Sequence, residues 1–458
     1  MAVGITVFAT LYRTIIGVSA LPHHLPIISA DAIELSGEHQ DLIASLVPYN
    51  ADQTLHAVTS LRKAGIDAET SAFLLSQAKL RTKAQAKFGD LAHHLLLTDA
   101  GLEQATRAAV AAAHARRFAE AGIESVADLG CGIGADSLAF AREGLAVTAV
   151  ELDAETAKIT AHNLSGYPTA QVIQADITAL NVESLTDTQG RAVQGLWLDP
   201  ARREVEGGTT SKRVWDAEAF SPPLSFVRQL AARGIPMGVK MGPGIPHDQI
   251  PAECEAQWVT HAGSLVEVIL WFNALARPEV GRAATALSDN PVTPRVLGEI
   301  VAHHDEAPAD EVPLAPVGDF IYEPDAAVIR AGLVAPLAKA LGAHLIDPNI
   351  AYLTTHHEVE SPLVTGYRVR RTLPLHEKHL KKWVKEEGIT TLTIKKRGVD
   401  IVPETLRSKL LAGVKKKKGA VKAATLIATR IGTGNNSQRF ALYVEPLPFT
   451  AAPSHKAK

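Results

Sequence analysis

The pattern of hydrophobic and polar positions divides the chain into regions of different periodicity. Residues 28–120 are rich in alanine and leucine and poor in glycine. Two segments there repeat apolar residues at helical spacing, Asp52–Ala64 and Glu69–Leu80. Thr98 is a candidate N-cap for a long helix that runs to Glu120. The pattern predicts an N-terminal helical region, which we assign to residues 1–118.

From residue 126 the pattern changes to short apolar runs that alternate with helix-like segments. The apolar runs are Val126–Leu129, Ala146–Val150, Gln171–Gln174, Val193–Leu198, Pro236–Met241 and Leu265–Phe272. The helix-like segments between them are Asp136–Glu143, Ala154–Leu164 and Pro223–Arg233. This alternation predicts βαβ units on a parallel, doubly wound α/β sheet in residues 119–280. The run that ends at Phe272 is predicted to be an antiparallel edge strand.

The last third of the chain has a mixed pattern. Residues 274–316 are rich in alanine, proline and acidic residues and are predicted to be a connection with some local strand. We assign residues 281–360 to this connection and a small strand–helix segment, and residues 361–458 to an α+β domain. The predicted elements of that domain are Tyr367–Leu373, His376–Glu387, Leu392–Lys396, Pro403–Leu411 and a hairpin of Thr425–Ile431 with Arg439–Glu445.

Charge is distributed unevenly along the chain, although the formal net charge is only −3. Residues 361–458 hold 21 Lys and Arg against 6 Asp and Glu, a formal charge of +15. Residues 1–360 hold 25 Lys and Arg against 43 Asp and Glu, a formal charge of −18. An acidic body joined to a basic C-terminal domain indicates a polyanionic partner, with nucleic acid the first candidate.

Composition excludes several classes of protein. A hydrophobic fraction of 46% excludes a wholly disordered chain. Only two cysteines, Cys131 and Cys254, exclude a disulfide scaffold and a cysteine-rich zinc module. The first 22 residues are apolar apart from Arg13, but no basic residue precedes them, which disfavours a secretory signal. We expect a cytoplasmic protein without a membrane span.

The main candidate for chemistry is a glycine-rich segment that runs from Val126 to Asp136, VADLGCGIGAD. It lies where the first parallel strand should end and a helix should begin. Glycine lets the backbone turn sharply and approach a ligand closely. The N-terminus of the following helix offers unpaired N–H groups. The carboxyl ends of the strands in an open α/β sheet are where ligands bind, so the segment is a candidate binding loop.

Acidic residues lie at the ends of the first three predicted strands. Asp128 lies in the first of them, Glu151 follows the second and Asp176 follows the third. Glu151 is placed to bind two ribose hydroxyls, and Asp176 could accept a hydrogen bond from an adenine amine. A carboxylate at Asp128 suits a ligand with an ammonium group and would repel a pyrophosphate. S-adenosyl-L-methionine has an amino group and an adenosine but no phosphate, and therefore fits.

These residues resemble the cofactor site of class I S-adenosylmethionine-dependent methyltransferases, and the resemblance covers residues 119–275. The residues that match the family's glycine loop and its two acids are Asp128, Gly130, Gly132, Gly134, Glu151 and Asp176. Cys131 lies inside the loop and is interpreted as a small residue whose backbone binds the cofactor. The resemblance implies a Rossmann-like doubly wound methyltransferase sheet, S-adenosyl-L-methionine as cofactor and methyltransferase activity.

The fourth strand ends in a second motif, Asp199-Pro200-Ala201-Arg202. Nucleic-acid amino-methyltransferases often carry Asp-Pro-Pro-Tyr at this place, where the acid and a backbone carbonyl hold the target amine and the aromatic ring stacks on the base. Asp199 and Pro200 match that pattern, whereas Ala201 and Arg202 depart from it. Arg202 could clamp a phosphate or stack on a base. We predict that Asp199, Pro200 and Arg202 are the catalytic residues.

Two further resemblances point to RNA. The segments Lys87–Gly89 and Leu97–Thr106 resemble the helical lead-in of RNA methyltransferases similar to trimethylguanosine synthase, which packs over the cofactor pocket in that group. The C-terminal domain resembles a THUMP-like domain, and Phe320–Thr355 resembles the small ferredoxin-like piece that often accompanies one. Such domains accompany RNA-modifying enzymes, so the resemblance implies rRNA or tRNA as a substrate.

The predicted RNA-binding residues are Lys395, Lys396, Arg397, Lys415, Lys416, Lys417 and Lys418. Four pairs of adjacent histidines suggest metal, but neighbouring side chains point apart on a helix or strand, so we predict no metal site. Two other functions stay open: a small-molecule methyltransferase, and an RNA-binding protein with a degenerate methyltransferase fold. The missing aromatic residue after Pro200 keeps the second of these open.

Overall fold

The computed structural model describes residues 26–29, 35–202, 217–290, 293–304, 312–414, 422–432 and 437–448, and for Ala201, Arg202 and Ala217 it describes the backbone only. Contacts divide the described residues into two units. The first unit holds the residues up to Gln85 together with Asp90–Ala105 and Glu124–Val193. The second unit holds Ala86–Gly89, Thr106–Ile123 and the residues from Gln194 onward.

Helices dominate the first part of the chain, as the pattern predicts. They are α1 (Gly37–Ser45), α2 (Thr54–Lys63), α3 (Ala68–Phe88), α4 (Asp99–Gln104) and α5 (Ala108–Glu120), with short 3-10 helices at Ala51–Gln53 and Gly89–His93. Ser36 and Thr98 cap α1 and α4 by accepting hydrogen bonds from backbone N–H groups three residues on. The helical region from residue 35 onward is confirmed.

The long helix predicted from Thr98 to Glu120 is wrong, because it is broken between α4 and α5. Ala105 and Arg107 both adopt extended backbone angles. Thr106 between them is buried, and its hydroxyl accepts a hydrogen bond from the Lys240 ammonium at 3.0 Å. A tertiary contact therefore overrides the local helix preference of this alanine-rich stretch.

The first unit contains four neighbouring strands of a sheet. Its strands are β1 (Ile27–Ile28), β2 (Ser125–Leu129), β3 (Ala146–Glu151) and β4 (Ala170–Gln174), in the order β1-β4-β3-β2. β2, β3 and β4 are parallel, and β1 joins β4 in the antiparallel sense. Helices α6 (Ala135–Arg142) and α7 (Ala154–Asn163) connect the parallel strands, and a 3-10 helix covers Val182–Ser184. All five residues of β2 are buried, as expected for a strand of a parallel sheet.

The second unit contains six neighbouring strands of a sheet, beginning with the parallel pair β5 (Gly195–Leu198) and β8 (Met237–Met241). Its other strands are β9 (Glu255–His261), β10 (Ser264–Phe272), β11 (Val280–Leu287) and β12 (Val296–His303), and the order is β5-β8-β10-β9-β11-β12. A small two-stranded sheet pairs β6 (Ala201–Arg202) with β7 (Phe220–Ser221). Helix α8 (Leu224–Ala231) precedes β8, and 3-10 helices cover Ala217–Ala219, His247–Gln249 and Asn273–Leu275.

Two predictions about this sheet need correction. β10 is antiparallel to β8, as predicted, but it is not an edge strand because β9 pairs with its other side. Residues 274–316 are not mainly a connection, since they contain the long antiparallel hairpin of β11 and β12. β12 presents several exposed or half-exposed side chains, so its sequence lacks the apolar run that marks a buried strand.

A seven-stranded sheet follows in the same unit, in the order β14-β15-β13-β16-β19-β18-β17. Its strands are β13 (Phe320–Pro324), β14 (His344–Asp347), β15 (Ile350–Thr355), β16 (Val364–Pro374), β17 (Thr391–Arg397), β18 (Ala423–Ile431) and β19 (Gln438–Pro446). Its helices are α9 (Ala326–Ala331), α10 (Val334–Leu341), α11 (Glu377–Glu387) and α12 (Pro403–Leu411). The predicted α+β character of the C-terminal part is confirmed.

Buried side chains on both faces hold this last sheet. Leu380, Trp383 and Val384 of α11 pack with Leu426 and other strand residues in one cluster. Tyr352 of β15 belongs to a second cluster, together with Tyr367, Leu442 and Val444.

The described helices are too short or too polar to span a bilayer. In the described part of the chain, no helix is long and apolar enough to cross a membrane.

Candidate cofactor and acceptor sites

The glycine loop adopts the geometry that its sequence predicts. It follows β2 and leads directly into α6, and Gly130, Gly132 and Gly134 have φ angles of 85°, 55° and 84°. L-residues rarely adopt these angles. A Cβ at Gly134 would also lie 2.9 Å from the Thr160 methyl group, whereas one at Gly132 would meet nothing within 4 Å. The loop is thus packed against α7 on one side and borders open space at Gly132, as a ligand cradle requires.

Glu151, the predicted ribose ligand, braces this loop. Its Oε2 atom accepts a hydrogen bond from the Gly132 N–H at 2.9 Å. Its Oε1 atom accepts from the N–H groups of Leu152 and Asp153 at 2.9 and 3.0 Å. Three backbone donors therefore hold the carboxylate beside the open part of the loop, where an additional hydroxyl donor could reach it.

Asp128 and Asp176 occupy different environments. Asp128 is only 1% exposed, and one oxygen accepts a hydrogen bond from the Ser137 hydroxyl at 2.6 Å, which ties β2 to α6. Asp176 is exposed and accepts from the N–H and the hydroxyl of Thr178 at 2.8 and 2.7 Å. These hydrogen bonds from Thr178 hold the pKa of Asp176 below its usual value. Asp176 is therefore an exposed, ionised acceptor, whereas Asp128 is enclosed beneath the loop.

Cys131 has the chemistry of a structural cysteine. Desolvation raises the pKa of its thiol well above the ordinary value, and the negative charges of Asp128 and Glu151 raise it further. The thiol therefore stays protonated, and the thiolate that a covalent nucleophile requires does not form.

Asn163 connects the lead-in segment to the loop, which the sequence alone did not indicate. Its amide nitrogen donates to the carbonyls of Leu96 and Ile133 at 3.1 and 2.9 Å, and its oxygen accepts from the Leu96 N–H at 2.8 Å. A Cβ at Gly101 would lie 2.4 Å from a methyl group of Ile133, so only glycine fits there. The segment that resembles the family's lead-in thus packs on the glycine loop.

Asp199 lies in the second unit, directly after β5. Its Oδ2 atom is 2.5 Å from the ammonium of Lys240, near the end of the neighbouring parallel strand β8. The Lys240 ammonium also donates to the Thr106 hydroxyl at 3.0 Å. The Lys240 side chain is 16% exposed and that of Asp199 is 37% exposed. The carboxylate is therefore held in place by a largely buried cation while remaining accessible.

A buried cluster holds β5, the strand that ends directly before Asp199. The His114 ring packs on Trp197 with ring centroids 4.3 Å apart, and Trp271 and Phe118 surround the same indole. His114 Nε2 is 2.6 Å from the Glu267 carboxylate, and both side chains are buried. Trp197 is fully buried two residues before Asp199, so this cluster sets the position of the strand end.

The other predicted catalytic residues are less fully described. Pro200 is buried and follows Asp199 directly. Arg202 lies in β6, which pairs with β7, but its side chain is outside the described part of the structure. Lys240 and Thr106 were not among the predicted site residues. The position of Lys240 at the end of the next predicted strand was the available signal, because parallel strands bring their carboxyl ends together.

The predicted RNA-binding residues fall into three groups. Lys395 and Arg397 both bind the Glu323 carboxylate, at 2.7 and 3.2 Å, and lie over the rings of Tyr367 and Tyr352. Lys396 between them is exposed and has no ion pair within the described residues. Lys415, Lys416, Lys417 and Lys418 lie outside the described residues.

Comparisons with known proteins cover most of the chain. A family described as "Methyltransferase domain" matches residues 127–187, and one described as "THUMP domain-like" matches residues 364–446. The chain is 31% identical over 384 residues to an uncharacterized S-adenosylmethionine-dependent methyltransferase of Mycobacterium tuberculosis, in strains CDC 1551 and H37Rv. That match covers 82% of this chain and 97% of the mycobacterial protein.

A solved structure resembles most of this chain. It is the crystal structure of a protein from Porphyromonas gingivalis W83 that is provisionally assigned as a methyltransferase. The two structures align with a TM-score of 0.70 at 18% identity, over 91% of this chain and 100% of that chain. At this identity the likeness concerns the fold, and it confirms the predicted Rossmann-like α/β architecture.

Proposed function

Because this chain belongs to the S-adenosylmethionine-dependent methyltransferases, we propose that it transfers a methyl group from that cofactor to RNA. The main observation in favour of RNA as the substrate is the positive charge of the C-terminal region. The region that matches the THUMP-like family lies within residues 361–458, whose formal charge is +15. A phosphate backbone is the partner that such a region would bind through released counterions.

The charge of this region is organised into a row on α11. Lys378, Lys381 and Lys385 recur every three to four residues, while Leu380, Trp383 and Val384 of the same helix are buried. At 1.5 Å per residue the row extends over roughly 10 Å along the helix axis. None of the three lysines forms an ion pair with another described residue. The row therefore offers uncompensated cations at a spacing suited to successive phosphates.

We assign the cofactor to the first unit. The residues proposed to hold it are Asp128, Gly130, Cys131, Gly132, Gly134, Glu151 and Asp176. The open space at Gly132 and the braced carboxylate of Glu151 fit a ribose, and exposed Asp176 fits an adenine amine. When bound, S-adenosyl-L-methionine supplies a methyl group on a sulfonium, a good leaving group, so the protein's main task is to position the acceptor.

Asp199 is proposed to perform that positioning. Lys240 binds the Oδ2 atom of Asp199 and also donates to the Thr106 hydroxyl. A carboxylate can accept several hydrogen bonds, and in this proposal one of them comes from an amine or hydroxyl of the nucleotide. The hydrogen bond would orient a lone pair of the acceptor for in-line attack. The Pro200 backbone and the Arg202 guanidinium, proposed to contact base or phosphate, complete this set. In this proposal residues 119–280 act on the cofactor and residues 361–458 dock the RNA.

The test uses labelled cofactor with RNA from cells that lack this protein, in which the target nucleotide is unmethylated. We expect label in an RNA fraction of defined size and in a single nuclease-resistant or mass-shifted nucleotide. Label that enters only small metabolites would support a small-molecule methyltransferase. RNA binding without cofactor binding by calorimetry would support a degenerate fold. Either outcome would overturn the proposal.

A further inference from the structure

A basic cleft lies in the same unit as Asp199, and the function proposed above does not use it. It opens beside the β11–β12 hairpin and the loop that follows β8, and its volume is about 360 Å³. The charged or titratable side chains that line it are Arg282, His247, His303, His304 and Cys254. Among the residues that the structure describes, no aspartate or glutamate lines this cleft.

Arg282 gives the cleft a permanent positive charge. Its side chain is half-buried, and one guanidinium nitrogen donates to the Ala331 carbonyl at 2.9 Å, at the end of α9. Among the described residues it forms no ion pair. A guanidinium has five N–H donors, so most of its hydrogen-bonding capacity is left for a ligand. A half-buried cation that has no acidic partner among the described residues favours the uptake of an anion.

Three histidines lie around the same space, and two of them donate to backbone carbonyls. His247 donates from Nε2 to the Arg330 carbonyl at 2.7 Å, and His303 donates from Nδ1 to the Glu279 carbonyl at 3.1 Å. His304 is exposed, and its ring forms no hydrogen bond with another described residue, so either nitrogen can donate to a ligand. Burial raises the pKa of the Cys254 thiol, which therefore adds no negative charge.

Two glycines make room for these side chains. A Cβ at Gly332 would lie 2.8 Å from the Arg282 guanidinium and 3.2 Å from the His247 ring. A Cβ at Gly281 would lie 3.0 Å from His304 Nδ1. The backbone thus approaches the basic groups as closely as it can, and the groups converge on a shared volume.

We propose that this cleft binds a phosphate ester of a nucleotide. A phosphate offers several acceptor oxygens to the convergent donors of Arg282 and His304, which a single carboxylate does not match. The volume is at the lower end of the range for small-molecule sites, as one nucleotide requires. The phosphate could belong to a free nucleotide or to the backbone of an RNA, and the experiment separates these sources.

Binding of uridine monophosphate and inorganic phosphate to the full chain is measured by calorimetry, with S-adenosylhomocysteine present to fill the cofactor site. We expect binding of uridine monophosphate, and a loss of affinity of about tenfold in Arg282→Gln, the cost of one charge-assisted hydrogen-bonding partner. The matched control is Arg295→Gln, because Arg295 is an exposed arginine at the other end of the same hairpin. It should bind the nucleotide as the unaltered chain does.

His304→Ala is the second variant, because His304 is exposed and can be replaced without loss of a hydrogen bond inside the described structure. His304→Ala should also weaken nucleotide binding. It keeps the proposal testable if Arg282→Gln proves to be poorly folded. No binding of either phosphate at millimolar concentration would overturn the proposal. Equal affinity of the unaltered chain and both cleft variants would do the same.

RNA affinity, measured by fluorescence anisotropy, identifies the source of the phosphate. If Arg282→Gln weakens RNA binding and uridine monophosphate competes with RNA, the cleft holds an RNA phosphate. If the nucleotide binds and RNA affinity is unchanged, the cleft holds a free nucleotide. A chain that binds the nucleotide but no RNA would contradict the proposed function and leave this inference intact.

Discussion

At the scale of single residues, the contact between Asp199 and Lys240 gives a specific expectation. Asp199→Ala removes the carboxylate that would orient the acceptor, so methyl transfer should fall by about a hundredfold or more. Cofactor affinity should stay nearly constant, because the cofactor residues lie in the other unit. Transfer of labelled methyl and calorimetry with S-adenosylmethionine measure the two effects separately.

Asp289→Ala is the control for this change, since Asp289 is an exposed acid in the same unit. It should leave both measurements unchanged. A fall in cofactor affinity that matches the fall in transfer would mean that Asp199 supports the cofactor site and has no role in orienting the acceptor.

Glu151 is expected to serve both the loop and the cofactor. Glu151→Ala leaves the N–H groups of Gly132, Leu152 and Asp153 without their acceptor, which should cost about 1–3 kcal/mol of stability. Loss of the ribose contact should weaken S-adenosylhomocysteine binding by about tenfold. Thermal unfolding with and without that ligand measures both quantities.

The matched control for Glu151 is Glu155→Ala on the following helix, whose carboxylate makes only an exposed ion pair with Lys158. Exposed pairs of this kind contribute little, so stability and ligand affinity should hardly change. An unchanged ligand affinity in Glu151→Ala would refute the ribose role and leave only the role in the loop.

The sequence was informative where the chemistry depends on a local pattern. The positive φ angles of Gly130, Gly132 and Gly134 follow from a loop that leads directly from a strand into a helix. It did not show which side chain binds Asp199, because Lys240 lies 41 residues further along the chain and only its place at a strand end pointed to it. It also gave no indication that Lys395 and Arg397 share the Glu323 carboxylate, since that contact depends on the packing of β13 and β17 side chains.

At the scale of secondary-structure elements, Asn163 joins α7, the lead-in segment and the glycine loop. Asn163→Ala removes three buried hydrogen bonds and should destabilise the chain by about 2–4 kcal/mol. Asn163→Asp should be at least as harmful, because a carboxylate faces the carbonyls of Leu96 and Ile133. Denaturant unfolding measures the loss, and Asn181→Ala, an exposed position in the same unit, is the control.

If Asn163→Ala kept full stability, the segment before α4 would be held by other contacts. The strongest of these are the two hydrogen bonds between Gln77 and the backbone of Leu97, at 2.9 and 3.0 Å. Loss of cofactor affinity without loss of stability would instead show that the tether acts mainly on the shape of the loop.

Buried strands were predicted more accurately than short or partly exposed strands. The buried parallel strands β2, β3 and β5 are mostly apolar and were found within one or two residues. β1 was missed because it has only two residues, and β12 because its side chains are partly exposed. The break between α4 and α5 was missed because it depends on Lys240, which local preference cannot reveal.

At the scale of the whole molecule, RNA binding should depend on the lysine row of α11. Replacement of Lys378, Lys381 and Lys385 by Gln should reduce the slope of log K against log salt by roughly 2, for the loss of three phosphate contacts on single-stranded RNA. The control replaces Lys382, Lys409 and Lys422, which form ion pairs with Glu386, Glu377 and Glu387. Both triple variants remove the same charge.

Fluorescence anisotropy over a range of salt concentrations measures both slopes. The control variant should retain most of the salt dependence, because its lysines already have acidic partners. Equal reductions in the two variants would mean that RNA responds to the overall charge of the domain and has no preference for this helix face.

The seven-stranded sheet has a consequence for the independence of the basic domain. β13 lies between β15 and β16, so a fragment that begins at residue 361 loses the neighbour of the longest strand in that sheet. The freed edge would present a row of unpaired N–H and C=O groups beside newly exposed Tyr367, which is a template for intermolecular pairing. Light scattering should show such a fragment to self-associate, more than one that begins at residue 312. The segment before the basic domain thus protects it from aggregation.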